Sequence, residues 1–167
     1  MGRMVRPRTR PPCSSMPSTG VFFSQAAFIR SLMVRFRLRS AGAYAFRSLL
    51  DAGARLAFGS DCPVETMNVI AGIHAAVTRR RADGEPAGGW YPEQRLSVEE
   101  AVKAYTLGAA YAAGQEAVLG TLVAGKLGDV VVLSRDLFTL ADPMDILTAQ
   151  VDLTVLGGQV VYEREAV

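Results

Sequence analysis

Histidine is nearly absent from this chain: His74 is the one imidazole in 167 residues. A metal site built on several histidines is therefore excluded for the chain by itself. Cysteine is scarce as well. Cys13 and Cys62 stand far apart without metal-ligand or redox spacing, which excludes a disulfide framework and a CxxC centre and points to an intracellular, cytoplasmic chain. No apolar run approaches the roughly 20 residues a membrane-spanning helix needs, so no membrane partner is expected. Acidic residues are missing from the first forty positions, which hold eight arginines, whereas the remaining 127 residues carry ten basic and sixteen acidic side chains. So abrupt a change in charge marks a boundary between two parts of unlike character.

What is present in residues 1–40 is arginine, proline and serine. The first half has no hydrophobic periodicity and reads as disordered. The second half offers Phe28, Leu32 and Phe36 at four-residue intervals, the pattern of a basic amphipathic helix. An acid-free, Arg-rich composition is shared by organelle transit peptides, by nucleic-acid or membrane-surface patches, and by out-of-frame stretches of GC-rich coding sequence. Composition alone leaves these readings open, with a nucleic-acid role the least favoured.

From Ala41 the chain alternates between elements. Phe46, Leu49 and Leu50 form a short helical pattern ending at Gly53. An apolar run, Arg55 to Phe58, then ends in Gly59-Ser60-Asp61. This reads as a buried strand opening into a polar loop, and in parallel α/β folds catalytic groups sit at that end of a strand. A helix is expected over 68–81, presenting Val69, Ile73, Ala76 and Val77. After a Gly/Pro-rich loop comes a second, from a Ser97/Glu100 capping box to Gly114, with Val98, Ala101, Val102, Tyr105, Ala109 and Ala112 as its apolar stripe. Beyond Leu119 the period becomes that of strands: Asp129 to Leu133, then Leu153–Leu156 and Gln159–Tyr162 around Gly157-Gly158, a hairpin signal.

These motifs carry a family resemblance. Ala43 to Leu50, Gly59-Ser60-Asp61-x-Pro63-Val64-Glu65, Ile73-x-Ala75-Ala76-Val77-Thr78-Arg79, Gly89 to Ser97, Ala104-Tyr105-Thr106-x-Gly108 to Ala112, and Gly120-x-Leu122-x-x-Gly125-Lys126-x-x-Asp129-x-Val131-Val132-Leu133 occur in order at compatible spacings. Together they resemble the C-terminal part of the amidohydrolase superfamily, in the branch that includes N-substituted formamide deformylase. The resemblance implies an α/β fold: the last strand and flanking helices of a (β/α)8 TIM-like barrel over 41–118, and strands of a small composite β-sandwich over 119–167. It also implies hydrolysis of non-peptide C–N bonds in small amide-type substrates, assisted by a divalent metal, for which zinc suits the ligand types.

The resemblance implies for Asp61 the role of the family aspartate that contacts the metal or its bound water and moves the water's proton to the leaving amine. The family's His-x-His pair, mid-barrel carboxylate or modified lysine, and later histidines have no counterpart here. Asp61 alone will not hold a metal, so the chain is expected to be inactive and metal-free by itself. It reads as a gene fragment, one half of a split enzyme completed by another chain, or a remnant serving as a non-catalytic interaction module. Exposed barrel faces would then favour a partner chain or self-association.

Blander readings stand beside each residue. Asp61 also suits a loop cap. His74 reads as a structural histidine, packed or solvent-facing. Glu65 has a substrate group, Arg79, or nothing to pair with. Trp90 and Tyr91 line the barrel mouth or pin the long loop. Cys62 reads as small packing, and Lys126 as a solvated turn lysine.

Overall fold

The computed structural model describes the backbone of Val21–Ser24 and residues 42–165. The elements run β1 (Val21–Ser24), α1 (Phe46–Asp51), β2 (Leu56–Gly59), α2 (Val69–Thr78), α3 (Val98–Lys103), a π-helical stretch (Ala104–Gly108), α4 (Ala109–Ala112), β3 (Val130–Leu133), β4 (Val151–Leu156) and β5 (Gln159–Glu163). Strands β1 and β2 pair in parallel, Val21 with Leu56 through Ser24 with Gly59. Strands β3, β4 and β5 form an antiparallel sheet in that order.

The strand at Val21–Ser24 falls where an amphipathic helix was expected to begin. A β-branched and aromatic run, Val-Phe-Phe, suits a pleated ladder, and β2 offers it an open edge. Phe28, Leu32 and Phe36, which carried the helical period, lie outside the described residues, as does the stretch read as disordered.

The core gathers on β2, because Leu56, Ala57 and Phe58 are all buried there. A chain of edge-to-face rings crosses it: Tyr44 to Phe46 at 5.7 Å, Phe46 to Phe58 at 4.9 Å, and Phe58 to Tyr105 at 5.4 Å. These distances lie within the range where ring quadrupoles attract, about 0.5–1.5 kcal/mol per pair beyond area burial. The rings join α1, β2 and the helix after Ser97 into one unit. Ile70, Ile73, Ala76 and Val77 of α2 complete it.

Helix α2 starts where Asn68 accepts from the Ile70 and Ala71 amides, and it ends earlier than its periodicity suggested. Arg79 takes a left-handed conformation, φ 58°, and its carbonyl receives the Trp90 amide at 2.8 Å. The predicted face holds at Ile73, Ala76 and Val77, while Val69 is exposed.

The helix after Ser97 begins as read. The Ser97 hydroxyl accepts from the Glu100 amide at 3.1 Å, and the Glu100 carboxylate accepts from the Ser97 amide at 2.7 Å. It is not a uniform α-helix, however. The π stretch widens one turn, so the buried positions are Ala101, Ala104 and Ala110. Ala109 and Ala112, counted at a constant 3.6-residue period, are displaced from the buried line by that extra residue. The widened turn carries Gly108 against β2, where an added Cβ would lie 2.0 Å from the Leu56 carbonyl oxygen.

In the C-terminal part, β4 and β5 form the expected hairpin. Gly157 and Gly158 both take positive φ, 59° and 81°, as the twist-matched two-residue turn requires. A 3₁₀ segment, Pro143–Thr148, joins β3 to β4 and docks on α2, burying Ile146 completely. Val131, Val160, Val161 and Tyr162 of the sheet are exposed.

Candidate functional site

Asp61 stands two residues beyond the last residue of β2. Its backbone is left-handed, φ 55°, a conformation that an L-residue adopts at a cost and that Asp tolerates better than most. The Asp61 carbonyl receives the Val64 amide at 2.8 Å, closing a turn that holds the residue at the strand end. Its side chain is exposed, and among the described residues no hydrogen bond or ion pair engages the carboxylate. Val64 and Met67 in the same loop are 62% and 77% exposed. Asp61 therefore sits on an open, partly apolar surface at the C-terminal end of a buried parallel strand.

The other singled-out residues separate from it. His74 is packed, 2% exposed, on α2. Cys62 is exposed, which corrects its reading as small packing; the loop turns outward at Asp61 and carries it into solvent. Lys126 is half-buried, and its ammonium donates to the Glu116 carbonyl at 2.5 Å and the Leu119 carbonyl at 3.0 Å. It ties two loop carbonyls together instead of standing solvated.

Trp90 and Tyr91 make the contacts of a pinned loop. The Trp90 ring lies 4.9 Å from the Arg79 guanidinium, and Tyr91 stacks edge-on against Trp90 at 4.7 Å. In the sequence Arg79 stands out only by its place in a motif and as a candidate partner for Glu65. It is 1% exposed and lies between the rings of Trp90 and Phe46. It donates to the Trp90 carbonyl at 2.9 Å and the Tyr44 carbonyl at 3.2 Å. Burial pulls its pKa down to about 10, opposed in part by the charge of Glu93. An arginine just past a helix, with an aromatic residue across a Gly-rich loop, is the faint signal that could have found it.

A cleft of about 550 Å³ lies between α1 and the helix after Ser97, with Arg47, Asp51, Arg55, Lys103 and Tyr111 on its wall. Leu56, at the start of β2, also lines it, so it opens at the opposite end of the strand from Asp61. Arg47 there grips Glu100 with both guanidinium nitrogens. That contact holds the Glu100 carboxyl below its ordinary value.

Among the described residues, no three His, Cys, Asp or Glu side chains converge as a metal would require. The described residues do not by themselves fit a metal centre. What this geometry shows is a carboxylate raised on a tight turn beyond a buried parallel strand.

Comparison with known proteins supplies the family. The amidohydrolase family profile matches residues 4–162, and the chain belongs to that family, corresponding to its C-terminal part. It is 34% identical over 122 residues to YtcJ of Bacillus subtilis, which bears a provisional amidohydrolase name, covering 73% of this chain and 23% of that one. It is likewise 34% identical over 123 residues to N-substituted formamide deformylase of Arthrobacter pascens, covering 71% of this chain and 21% of that one. The chain thus spans about a fifth of the length of the curated relatives it matches. Among solved structures, the zinc complex of atrazine chlorohydrolase TrzN from Arthrobacter aurescens superimposes with a TM-score of 0.59 at 24% identity, covering 86% of this chain and 31% of that one. That likeness establishes the fold. Among the described residues no helix is long and apolar enough to cross a membrane.

Proposed function

We propose that this chain contributes the last strand of a (β/α)8 barrel, with its flanking helices and part of a β-sandwich, to a metal-dependent amidohydrolase acting on non-peptide C–N bonds of small amide-type substrates. Residues 41–118 supply the barrel part, residues 119–167 the sandwich part, and Asp61 the catalytic carboxylate. The observation that carries this reading is the placement of Asp61: a left-handed turn, immediately after a buried parallel strand, directs the family's Gly-Ser-Asp motif onto the open end of the sheet. A carboxylate fixed there can accept a proton and return it.

The chain supplies too few ligands to hold zinc, which takes three or four, so the histidines must come from the remainder of a barrel. A two-stranded parallel sheet points the same way, because parallel sheets occur almost only with both faces covered and two strands alone are marginally stable. Activity therefore belongs to a completed barrel and not to these residues alone.

The test is reconstitution. The chain is co-expressed with a polypeptide carrying the first seven barrel strands of an N-substituted formamide deformylase relative, and release of amine from N-substituted formamides is followed. A complex with turnover that falls by about a hundredfold or more in Asp61→Asn supports the reading. Turnover unchanged by Asp61→Asn removes the catalytic role. The second reading, a non-catalytic module, rests on the exposed apolar residues of the β3–β5 sheet; it predicts a stable complex without turnover.

A further inference from the structure

We propose that the contact between His74 and Met144 is an acid-sensitive latch that holds the Pro143–Thr148 segment, and with it the β3–β5 sheet, against α2. The segment docks on α2, and it connects β3 directly to β4. Whatever holds it therefore sets how firmly the sheet is tied to the helical part. Within this contact His74 Nε2 lies 3.3 Å from Met144 Sδ and 3.4 Å from Thr78 Oγ1.

The proton inventory assigns the ring. The Thr78 hydroxyl donates its one hydrogen to the His74 carbonyl at 2.8 Å and also accepts the Arg80 amide at 3.1 Å. Toward the imidazole it has only lone-pair density to offer, and a thioether is likewise an acceptor without a hydrogen. Both neighbours of Nε2 thus call for the Nε2–H tautomer, and the site is built for a neutral ring. Acid would add its proton at Nδ1, producing an imidazolium in a place that is 2% exposed.

Among the described residues no carboxylate acts on the ring to offset that charge. Asp142 and Asp145 lie on the docking segment, and Glu99, Glu100 and Lys103 on α3, which also packs on α2. Asp142 is occupied in capping the Met144 amide at 2.9 Å, and Glu100 is held by Arg47. The charge that does act on the ring is the like charge of Arg80, which adds to burial in favouring the neutral form. When the segment lifts away, the ring regains water and can take a proton at its ordinary value of 6.5. The released state therefore binds the proton and the docked state resists it. Each pH unit below about 6.5 weakens docking by up to tenfold, until the docked ring itself titrates.

Because the chain has a single histidine, its imidazole proton resonance can be followed without assignment while hydrogen exchange of residues 143–150 is measured from pH 7.5 to 5, corrected for intrinsic rates. The expected result is a ring that titrates below 6.5, with protection of 143–150 falling by up to tenfold per unit. His74→Gln, whose side-chain amide can still donate to both acceptors, should give flat protection over the same range. The latch is overturned by a ring titrating at or above 6.5, by protection that does not change with pH, or by the same pH dependence in the glutamine variant. Should that variant fail to fold, the two wild-type measurements decide alone. This inference is independent of the catalytic reading of Asp61.

Discussion

Replacing Gly108 with alanine sets two well-characterised tendencies against each other. The residue lies within a continuous helical stretch at φ −62° and ψ −47°, so alanine fits the backbone, and propensity alone would stabilise the chain by about 1 kcal/mol. Packing argues the reverse. The new Cβ would lie 2.0 Å from the Leu56 carbonyl oxygen, 3.1 Å from the Leu56 carbonyl carbon and 3.4 Å from the Ala57 Cα. Nonbonded heavy atoms settle at roughly 3.5 Å, so helix and strand must part by about 1.5 Å. The obstacle is the backbone of a buried strand, which cannot rotate aside as a side chain could. Overpacking of this kind costs about 1–3 kcal/mol, and the separation also disturbs the Phe58–Tyr105 contact. With the propensity gain of about 1 kcal/mol subtracted and about 0.5–1.5 kcal/mol added for the disturbed ring pair, the expected net loss is about 0.5–3.5 kcal/mol. Urea unfolding followed by the fluorescence of Trp90, the single tryptophan, measures it. Gly59→Ala is the control, since its Cβ would meet nothing within 4 Å, and it should stay within about 0.5 kcal/mol of wild type. A Gly108→Ala protein as stable as wild type, or more so, would refute the close approach of this helix to β2.

Arg79→Met should cost about 1–3 kcal/mol, because it takes a charged donor from the half-buried Trp90 carbonyl and one of two donors from the Tyr44 carbonyl, which keeps the Phe46 amide. Trp90 emission should shift to the red, and an unshifted, fully stable variant would show that the guanidinium does not pin the loop. Ser97→Ala should lose about 1 kcal/mol in the same unfolding assay, the usual value of an N-cap. Glu100 is held below its ordinary 4.5 by its hydrogen bond from Arg47, then by the Ser97 amide. A depressed carboxyl stabilises above its unfolded value and loses that contribution as pH falls through the folded one. With both partners about a third exposed, the loss below pH 4.5 should be under about 1 kcal/mol. Arg47→Gln should remove most of it, and a pH profile unchanged by that substitution would count against the pair.

The amidohydrolase membership was legible because it rests on ordered motifs, and the start of the helix after Ser97 because a capping box is local chemistry within four residues. The strand before Asp61 and the Gly157-Gly158 hairpin were legible for the same reason. Asp61 could be placed at a strand end, but not in its left-handed turn. The sequence admitted both a packed and a solvated His74, and a segment some seventy residues further along the chain selected the first.

The sequence by itself determined local periods, caps and turns, and the count of potential metal ligands, since each follows from residues adjacent in the chain. Tertiary structure decided the rest. Contact between the helix after Ser97 and the Leu56 carbonyl accompanies the π turn that shifted the buried stripe from Ala109 to Ala110. Two aromatic rings and two carbonyls buried Arg79, which no periodic pattern marks. Carbonyls seven and ten residues away took up Lys126, and the open edge of β2 paired Val21–Ser24. In each case the deciding partner lies beyond the range of local patterning, and its influence is felt only once the chain has closed around it.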